Sequence, residues 1–214
     1  MIGTVIFDFD GVLVESAELK TQAFASLYRS FPDHLDEILS YHQQYVGISR
    51  YRKFQHFHEV ILGIPYTEEI GMRLGAEFSK LVVGQIIAGP CVPGALEFLD
   101  QHHKTLPLYV ASGTPQSELE EIADAKSLLP YFREMYGSPL PKSEATGRIL
   151  ERERLKPEEV VFVGDGLSDR VAAEETGTHF ILRRTKENLD LTHDVKLVIN
   201  DLTSLSTTIR GLAE

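Results

Sequence analysis

Positive charge is scarce in this chain: 21 lysines and arginines face 32 aspartates and glutamates, a formal net charge of −11 over 214 residues. That balance argues against nucleic acid as a partner, because a phosphate backbone needs basic patches to neutralise it. Small phosphorylated ligands remain open, since a few well-placed cations serve them locally. Cysteine is scarcer still. Cys91 stands alone, so no intrachain disulfide forms and a reducing cytosol suits the chain. Set beside Pro90 and Pro93, it reads as a packed linker residue rather than a nucleophile. No apolar run reaches the roughly 18 residues that suggest a membrane span. The N-terminus runs directly into a strand pattern, which leaves no room for a signal peptide. The expectation is a soluble cytoplasmic protein with no membrane partner, either a monomer or a homodimer. Its 43% hydrophobic and 25% charged content is ordinary for a globular fold. The length allows one large domain or a core with a smaller insert.

What is present is concentrated near the N-terminus. Thr4, Val5, Ile6 and Phe7 are β-branched, aliphatic or aromatic in an unbroken apolar run, the pattern of a buried strand. Asp8 and Asp10 follow, two residues apart, and so share one face of that strand. Gly11 lets the backbone turn sharply and approach a ligand closely. Two carboxylates at the end of a buried strand are costly unless a cation or hydrogen bonds balance them. Mg²⁺ suits the position, being a hard cation held by one or two carboxylates together with substrate phosphate.

Downstream, residues 17–87 read as wholly helical. Leu19, Ala23, Phe24, Leu27, Tyr28 and Phe31 recur at helical steps until Pro32, where proline ends the helix. Further helices are predicted over about 35–45, 51–62 and 68–83, with Gly47 and Gly63-Ile64-Pro65 as breaks. After Pro90, Pro93 and Gly94 the pattern alternates: helix 95–103, strand 106–111, helix 116–126, strand 134–136, helix 143–154, strand 160–163, helix 168–175, then strands at 179–182 and 197–199. Such alternation predicts an α/β fold with a parallel sheet and helices on both faces, with ligands bound beyond the carboxyl ends of the strands. No internal repeat or low-complexity segment is found.

Two later strand ends carry polar groups. Leu108–Ala111 leads into Ser112-Gly113-Thr114; Ser112 can hydrogen-bond a phosphate oxygen, and the backbone N–H groups that follow can form an anion-binding concavity. The plainer alternative makes Thr114 a helix N-cap with Pro115 at the first helical position; both can hold. Val160–Val163 leads into Gly164-Asp165-Gly166-Leu167-Ser168-Asp169. Asp169 alone could be a first-turn helix carboxylate, whereas Asp165 between two glycines is harder to explain without a ligand. Lys142, in Pro139-Leu140-Pro141-Lys142-Ser143 before a predicted helix, is either a solvated surface group or a cation held in place by its prolines.

The stretch Asp8-Phe9-Asp10-Gly11-Val12-Leu13 resembles the opening motif of the haloacid dehalogenase-like superfamily, in its phosphoglycolate phosphatase and β-phosphoglucomutase-like branch. Ser112 resembles that family's second motif and Lys142 its third, although Ser143 stands where many relatives have proline. Gly164-Asp165-x-x-x-Asp169 resembles the fourth. The likeness implies a Rossmann-like core formed by residues 1–16 and 88–214, with residues 17–87 as an inserted helical cap. It implies Asp8 as nucleophile and Asp10 as general acid and base that also lends its carbonyl to Mg²⁺. Asp165 is then a direct metal ligand and Asp169 a supporting one. Gly11, Gly113 and Thr114 would line the phosphate site. Ionised Asp8, two further carboxylates and a phosphate dianion carry roughly −5 against +2 from Mg²⁺, so a lysine at position 142 reduces the repulsion. The implied activity is Mg²⁺-dependent hydrolysis of a small phosphorylated metabolite through an aspartyl-phosphate. Gly47-Ile48-Ser49-Arg50 also resembles a cap segment of the β-phosphoglucomutases, whose arginine grips a distal phosphate. A mutase, and a non-catalytic phosphate-binding protein, are therefore the alternatives. The mutases' Ser-x-Ser-Lys second motif has no match in Ser112-Gly113-Thr114-Pro115.

Overall fold

The computed structural model describes residues 1–212. Strands β1 (Thr4–Phe7), β2 (Leu108–Pro115), β3 (Glu134–Ser138), β4 (Val160–Gly164), β5 (His179–Arg183) and β6 (Val198–Ile199) form one sheet in the order β3-β2-β1-β4-β5-β6. Every neighbouring pair is parallel. β1 and β4 are fully buried, as central strands covered on both faces must be, which explains their unbroken apolar sequence. Side chains alternate between the two faces. Val5 and Phe7 join one core with Phe98, Leu99 and Ile122. Ile6 joins the other with Tyr109, Ile149 and Phe162.

Between β1 and β2 the chain is helical: α1 (Ala17–Leu27), α2 (Leu35–Gln44), α3 (Arg50–His56) and α4 (Glu68–Ala88), with a π turn over Phe57–Ile61 continuing α3. Their shared core is aromatic. The Phe24 ring lies 4.7 Å from Phe78, 5.6 Å from Phe57 and 5.9 Å from Phe54 between centroids, tilted and edge-on geometries that favour such pairs. The first helix ends at Leu27, before Pro32, and the fourth runs on to Ala88 rather than stopping at Val83. Val82 and Ile86 are buried, so packing carries α4 past the point where its stripe fades. The sheet helices are α5 (Ala95–His102), α6 (Gln116–Ala125), α7 (Lys142–Glu153), α8 (Leu167–Thr176) and α9 (Leu205–Gly211), the last not predicted. In α8, Ala172 and Ala173 are buried against the second core, the close packing that their small side chains permit.

The chain leaves the sheet for the helical layer and returns to it along adjacent paths. Val14 pairs antiparallel with Cys91, Glu15 N–H donates to the Pro90 carbonyl (3.2 Å) and Val92 N–H to the Leu13 carbonyl (3.0 Å). Cys91 is a half-buried linker residue.

Candidate active site

In this strand order the sequence direction reverses between β1 and β4, and a crevice opens at their carboxyl ends. Asp8 and Asp10 leave β1 there, and Asp165 leaves β4. Gly11 sits at φ +71°, and a Cβ on it would overlap the Asp165 carboxylate. Glycine is therefore required twice at this position, for the left-handed turn and for the close approach of the two loops.

Asp8 is buried and held at both oxygens. Its Oδ1 accepts from Phe9 N–H (2.7 Å) and its Oδ2 lies 2.9 Å from Lys142 Nζ. The same ammonium donates to Asp169 Oδ1 at 2.6 Å, while Asp169 Oδ2 accepts from Gly166 N–H at 3.0 Å. Lys142 is the first residue of α7 rather than a loop residue before it, and it is buried, so the solvated alternative does not hold. Burial alone would lower its pKa, but Asp169 and Asp8 outweigh that and keep it charged.

One lysine does not neutralise three carboxylates. One oxygen from each of Asp8, Asp165 and Asp169 falls within 4.8 Å of the others. Burial pushes Asp8 up to about 7, with Lys142 opposing and Asp169 and Asp10 adding to the rise. Burial and the Asp8 and Asp169 charges push Asp165 well above the carboxylate range. Asp165 Oδ1 is buried and has no hydrogen-bond partner among the described residues. A hard divalent cation is what this oxygen set lacks, and Mg²⁺ fits it.

Asp10 faces a different set of partners. Its Oδ1 accepts from Ser16 Oγ (2.7 Å) and its Oδ2 from Thr114 Oγ1 (2.6 Å), and Lys20 Nζ lies 2.5 Å from Oδ2. Burial opposes its ionisation, but Lys20 and these hydrogen bonds hold the Asp10 carboxyl below its usual range. Thr114 is not an N-cap, as the sequence had suggested. β2 runs through it to Pro115, which occupies the cap position before α6. Its hydroxyl serves Asp10 instead. Ser112 is buried and its Oγ accepts from Thr114 N–H at 3.1 Å, which leaves the Ser112 proton to give.

The helical layer comes down onto these motifs. Ser168 Oγ donates to the Val46 carbonyl at 3.1 Å, and a Cβ on Gly113 would overlap the Gly47 carbonyl. Arg50 neither faces solvent nor points free into the site. It is buried and forms a bidentate pair with Glu118 of α6, its Nη1 3.0 Å from Oε2, with Ser79 completing the group. The guanidinium also lies 4.4 Å over the Phe78 ring. Between layer and strand ends lies a partly open cavity of about 50 Å³ reaching from Asp8 and Asp10 to Lys20, Lys53 and Phe78. A single water needs roughly 10–15 Å³, so there is room for more than one water-sized group beside the carboxylates.

Sequence reasoning missed several residues. Lys20 stands one helical turn after Ser16 on the element that leaves the catalytic loop, a spacing that places both beside Asp10. Arg183, at the end of β5, donates to the Gly11 carbonyl (3.1 Å) and pairs with Glu15 (2.6 Å), pinning the turn after Asp8. Asn188 Nδ2 donates to the Asp165 carbonyl at 2.7 Å. No local pattern marks those two.

A doubly wound sheet thus gathers buried carboxylates, a buried lysine and a hydroxyl at its switch point, groups suited to phosphoryl chemistry. The model of the haloacid dehalogenase-like hydrolases matches residues 2–177, and the chain belongs to that family. It is similar to a phosphorylated carbohydrates phosphatase of Thermotoga maritima, 29% identical over 178 residues, which is 81% of each chain. Among solved structures it shares the fold of a β-phosphoglucomutase from Clostridium difficile (TM-score 0.75, 18% identity, 100% of both chains). It also shares that of a protein from Haemophilus somnus described as a predicted phosphoglycolate phosphatase (TM-score 0.74, 18% identity, 96% of this chain and 97% of that one).

Proposed function

We propose that the chain is a Mg²⁺-dependent phosphatase that hydrolyses a small phosphate monoester through an aspartyl-phosphate. The observation that carries this reading is the bridging of Asp8 and Asp169 by Lys142 beside the unpartnered Asp165 Oδ1. Asp8, Asp165 and the Asp10 carbonyl are the groups to hold the metal, with Asp169 in support. Once bound, Mg²⁺ supplies positive charge against the phosphoryl oxygens. Asp8 attacks phosphorus and forms the acyl-phosphate, dividing one difficult displacement into two. Lys142 stays protonated and stabilises the charge on the transferring group, and Ser112 donates to one of its oxygens. Asp10 gives a proton to the leaving alcohol and then takes one from the water that opens the acyl-phosphate. In the ion-paired arrangement with Lys20 it is set for the second of these tasks.

Residues 17–87 act as a cap over a core made of residues 1–16 and 88–214, and the adjacent segments bridged at Val14 and Cys91 serve as its hinge. The lone cysteine supports a cytoplasmic location. No helix among the described residues is long and apolar enough to cross a membrane. The similarity to a phosphorylated carbohydrates phosphatase supports a sugar-derived phosphate ester as substrate. The mutase reading gains nothing from Arg50, whose guanidinium is already taken by Glu118. Turnover of p-nitrophenyl phosphate with Mg²⁺ by the purified protein tests the reading; no release of phosphate from this ester or from any of a panel of sugar phosphates overturns it.

A further inference from the structure

Lys53 lies in α3, is 3% exposed, and lines the cavity above the nucleophile. Every other buried lysine or arginine of the site has a carboxylate: Lys142 has Asp8 and Asp169, Arg50 has Glu118, and Arg183 has Glu15. Lys53 has none among the described residues. Its Nζ lies 2.7 Å from His42 Nδ1 and 3.3 Å from the His42 carbonyl. His42 Nε2 in turn lies 3.1 Å from Thr21 Oγ1, which donates to the Ala17 carbonyl. With the Thr21 proton spent on Ala17, His42 carries its proton on Nε2 and accepts from Lys53 at Nδ1. Burial and the neighbouring Lys53 and Lys20 charges keep this imidazole neutral. Two of the three ammonium protons are thus taken by neutral acceptors, and the third has no acceptor among the described residues.

A buried ammonium without a counter-charge is costly. Burial, with the like charge of Lys20 after it, holds Lys53 well below the usual lysine range, and an anion alongside would relieve that. Of the cationic groups around the cavity, Lys20 is matched by Asp10 and Arg50 by Glu118. We propose that Lys53 is a specificity-determining residue that receives a second anionic group of the substrate, so the enzyme acts on compact phosphate monoesters bearing a carboxylate or a second phosphate. This rests on the phosphatase reading above. The phosphoryl group sits at Asp8 and the second anion at the cap end of the cavity, against Lys53.

The test uses substrate pairs that differ in a second anion: 3-phosphoglycerate against glycerol 3-phosphate for a carboxylate, and fructose 1,6-bisphosphate against fructose 6-phosphate for a second phosphate. Each is measured with wild type, Lys53→Met and Lys53→Arg, with p-nitrophenyl phosphate as a substrate lacking any second anion. The wild type is expected to favour the charged member of one pair, and that pair identifies the anion. Lys53→Met is expected to cut kcat/KM for that member by roughly 10- to 100-fold, the worth of a charged hydrogen bond, mainly through KM. Turnover of p-nitrophenyl phosphate is expected to stay within threefold, and Lys53→Arg to recover part of the preference. Equal loss on substrates with and without a second anion, or no loss on either, makes Lys53 a core residue only and overturns the proposal. The wild-type comparison needs no variant to fold: equal kcat/KM within both pairs also overturns it. If p-nitrophenyl phosphate is turned over while both pairs show no preference, this proposal falls and the phosphatase reading stands; if every ester is refused, both fall.

Discussion

Lys20 Nζ lies 2.5 Å from Asp10 Oδ2 and donates to Thr114 Oγ1 at 2.9 Å, so one ammonium from the first helix ties the candidate acid/base to the second motif. The Asp10 carboxyl is held below its usual range against burial by this pair and by the Thr114 and Ser16 hydroxyls. Replacing Lys20 with Met removes the charge that favours the anion, so the Asp10 pKa rises. Its acid form then persists to higher pH and its base form appears only at higher pH than before, so the pH–rate profile is expected to move upward as a whole. kcat is expected to fall by roughly tenfold, less than loss of the acid/base itself, which costs about 10²–10⁴. Lys20→Arg should keep the profile in place. A profile that stays put or moves downward in Lys20→Met counts against this role.

Asp8→Asn is nearly isosteric and leaves Lys142 its second partner, Asp169 Oδ1 at 2.6 Å. Turnover is expected to drop by at least about 10³, since an amide cannot form the acyl-phosphate. Metal-free stability is expected to hold or rise, because burial and the Asp169 and Asp10 charges already push Asp8 up to about 7. Thermal melts and steady-state turnover check both halves. Activity within tenfold of wild type would remove Asp8 as the nucleophile.

The strand-end motifs were legible because each is local. Asp8, Asp10, Ser112 and Asp165 follow apolar runs that can only be central strands, and the parallel order places those ends together. What escaped depends on distant docking. Glu118 meets Arg50 across 68 positions of sequence and Arg183 meets Gly11 across 172, and no window of sequence contains such a pair. The resemblance gives Arg50 a distal substrate phosphate to hold, but in the structure its partner is Glu118, a carboxylate of the same chain. Thr114 before Pro115 carried an N-cap signal. Pairing of Pro115 with Ser138 in β3 extends the strand past it, so tertiary pairing overrode the local preference.

Mg²⁺ at about one hundred times its dissociation constant is expected to add about 2.7 kcal/mol to stability. For a chain of this size that raises Tm by roughly 5–10 °C. The binding energy comes from relieving repulsion in the carboxylate set, so Asp165→Asn, which removes the unpartnered Oδ1, should abolish the shift. EDTA should silence turnover and Mg²⁺ restore it. Ca²⁺, with its longer and looser coordination, should not restore it. A wild-type melt indifferent to Mg²⁺, or an equal shift in Asp165→Asn, would refute the site.

Two glycines bring the helical layer against the end of β2. Gly47, at φ +84°, and Gly113 approach so closely that a Cβ on Gly113 would overlap the Gly47 carbonyl, a backbone atom that cannot swing aside. Gly113→Ala is therefore expected to lift residues 46–48 off the phosphate motif while leaving the sheet intact. Backbone hydrogen exchange at 46–50 should speed up, and kcat/KM should fall by about 10²-fold, the scale of an ångström-level misplacement. Gly47→Ala disturbs the same loop through different neighbours: its Cβ would strike Ser168 Oγ and sit 3.0 Å from Lys142 Nζ. The same two signatures are expected from it, with added strain from the left-handed backbone. Gly84→Ala is the control, since its Cβ meets nothing within 4 Å and alanine favours its helix. Unchanged exchange at 46–50 together with activity within threefold of wild type in Gly113→Ala would show that closure does not depend on this contact.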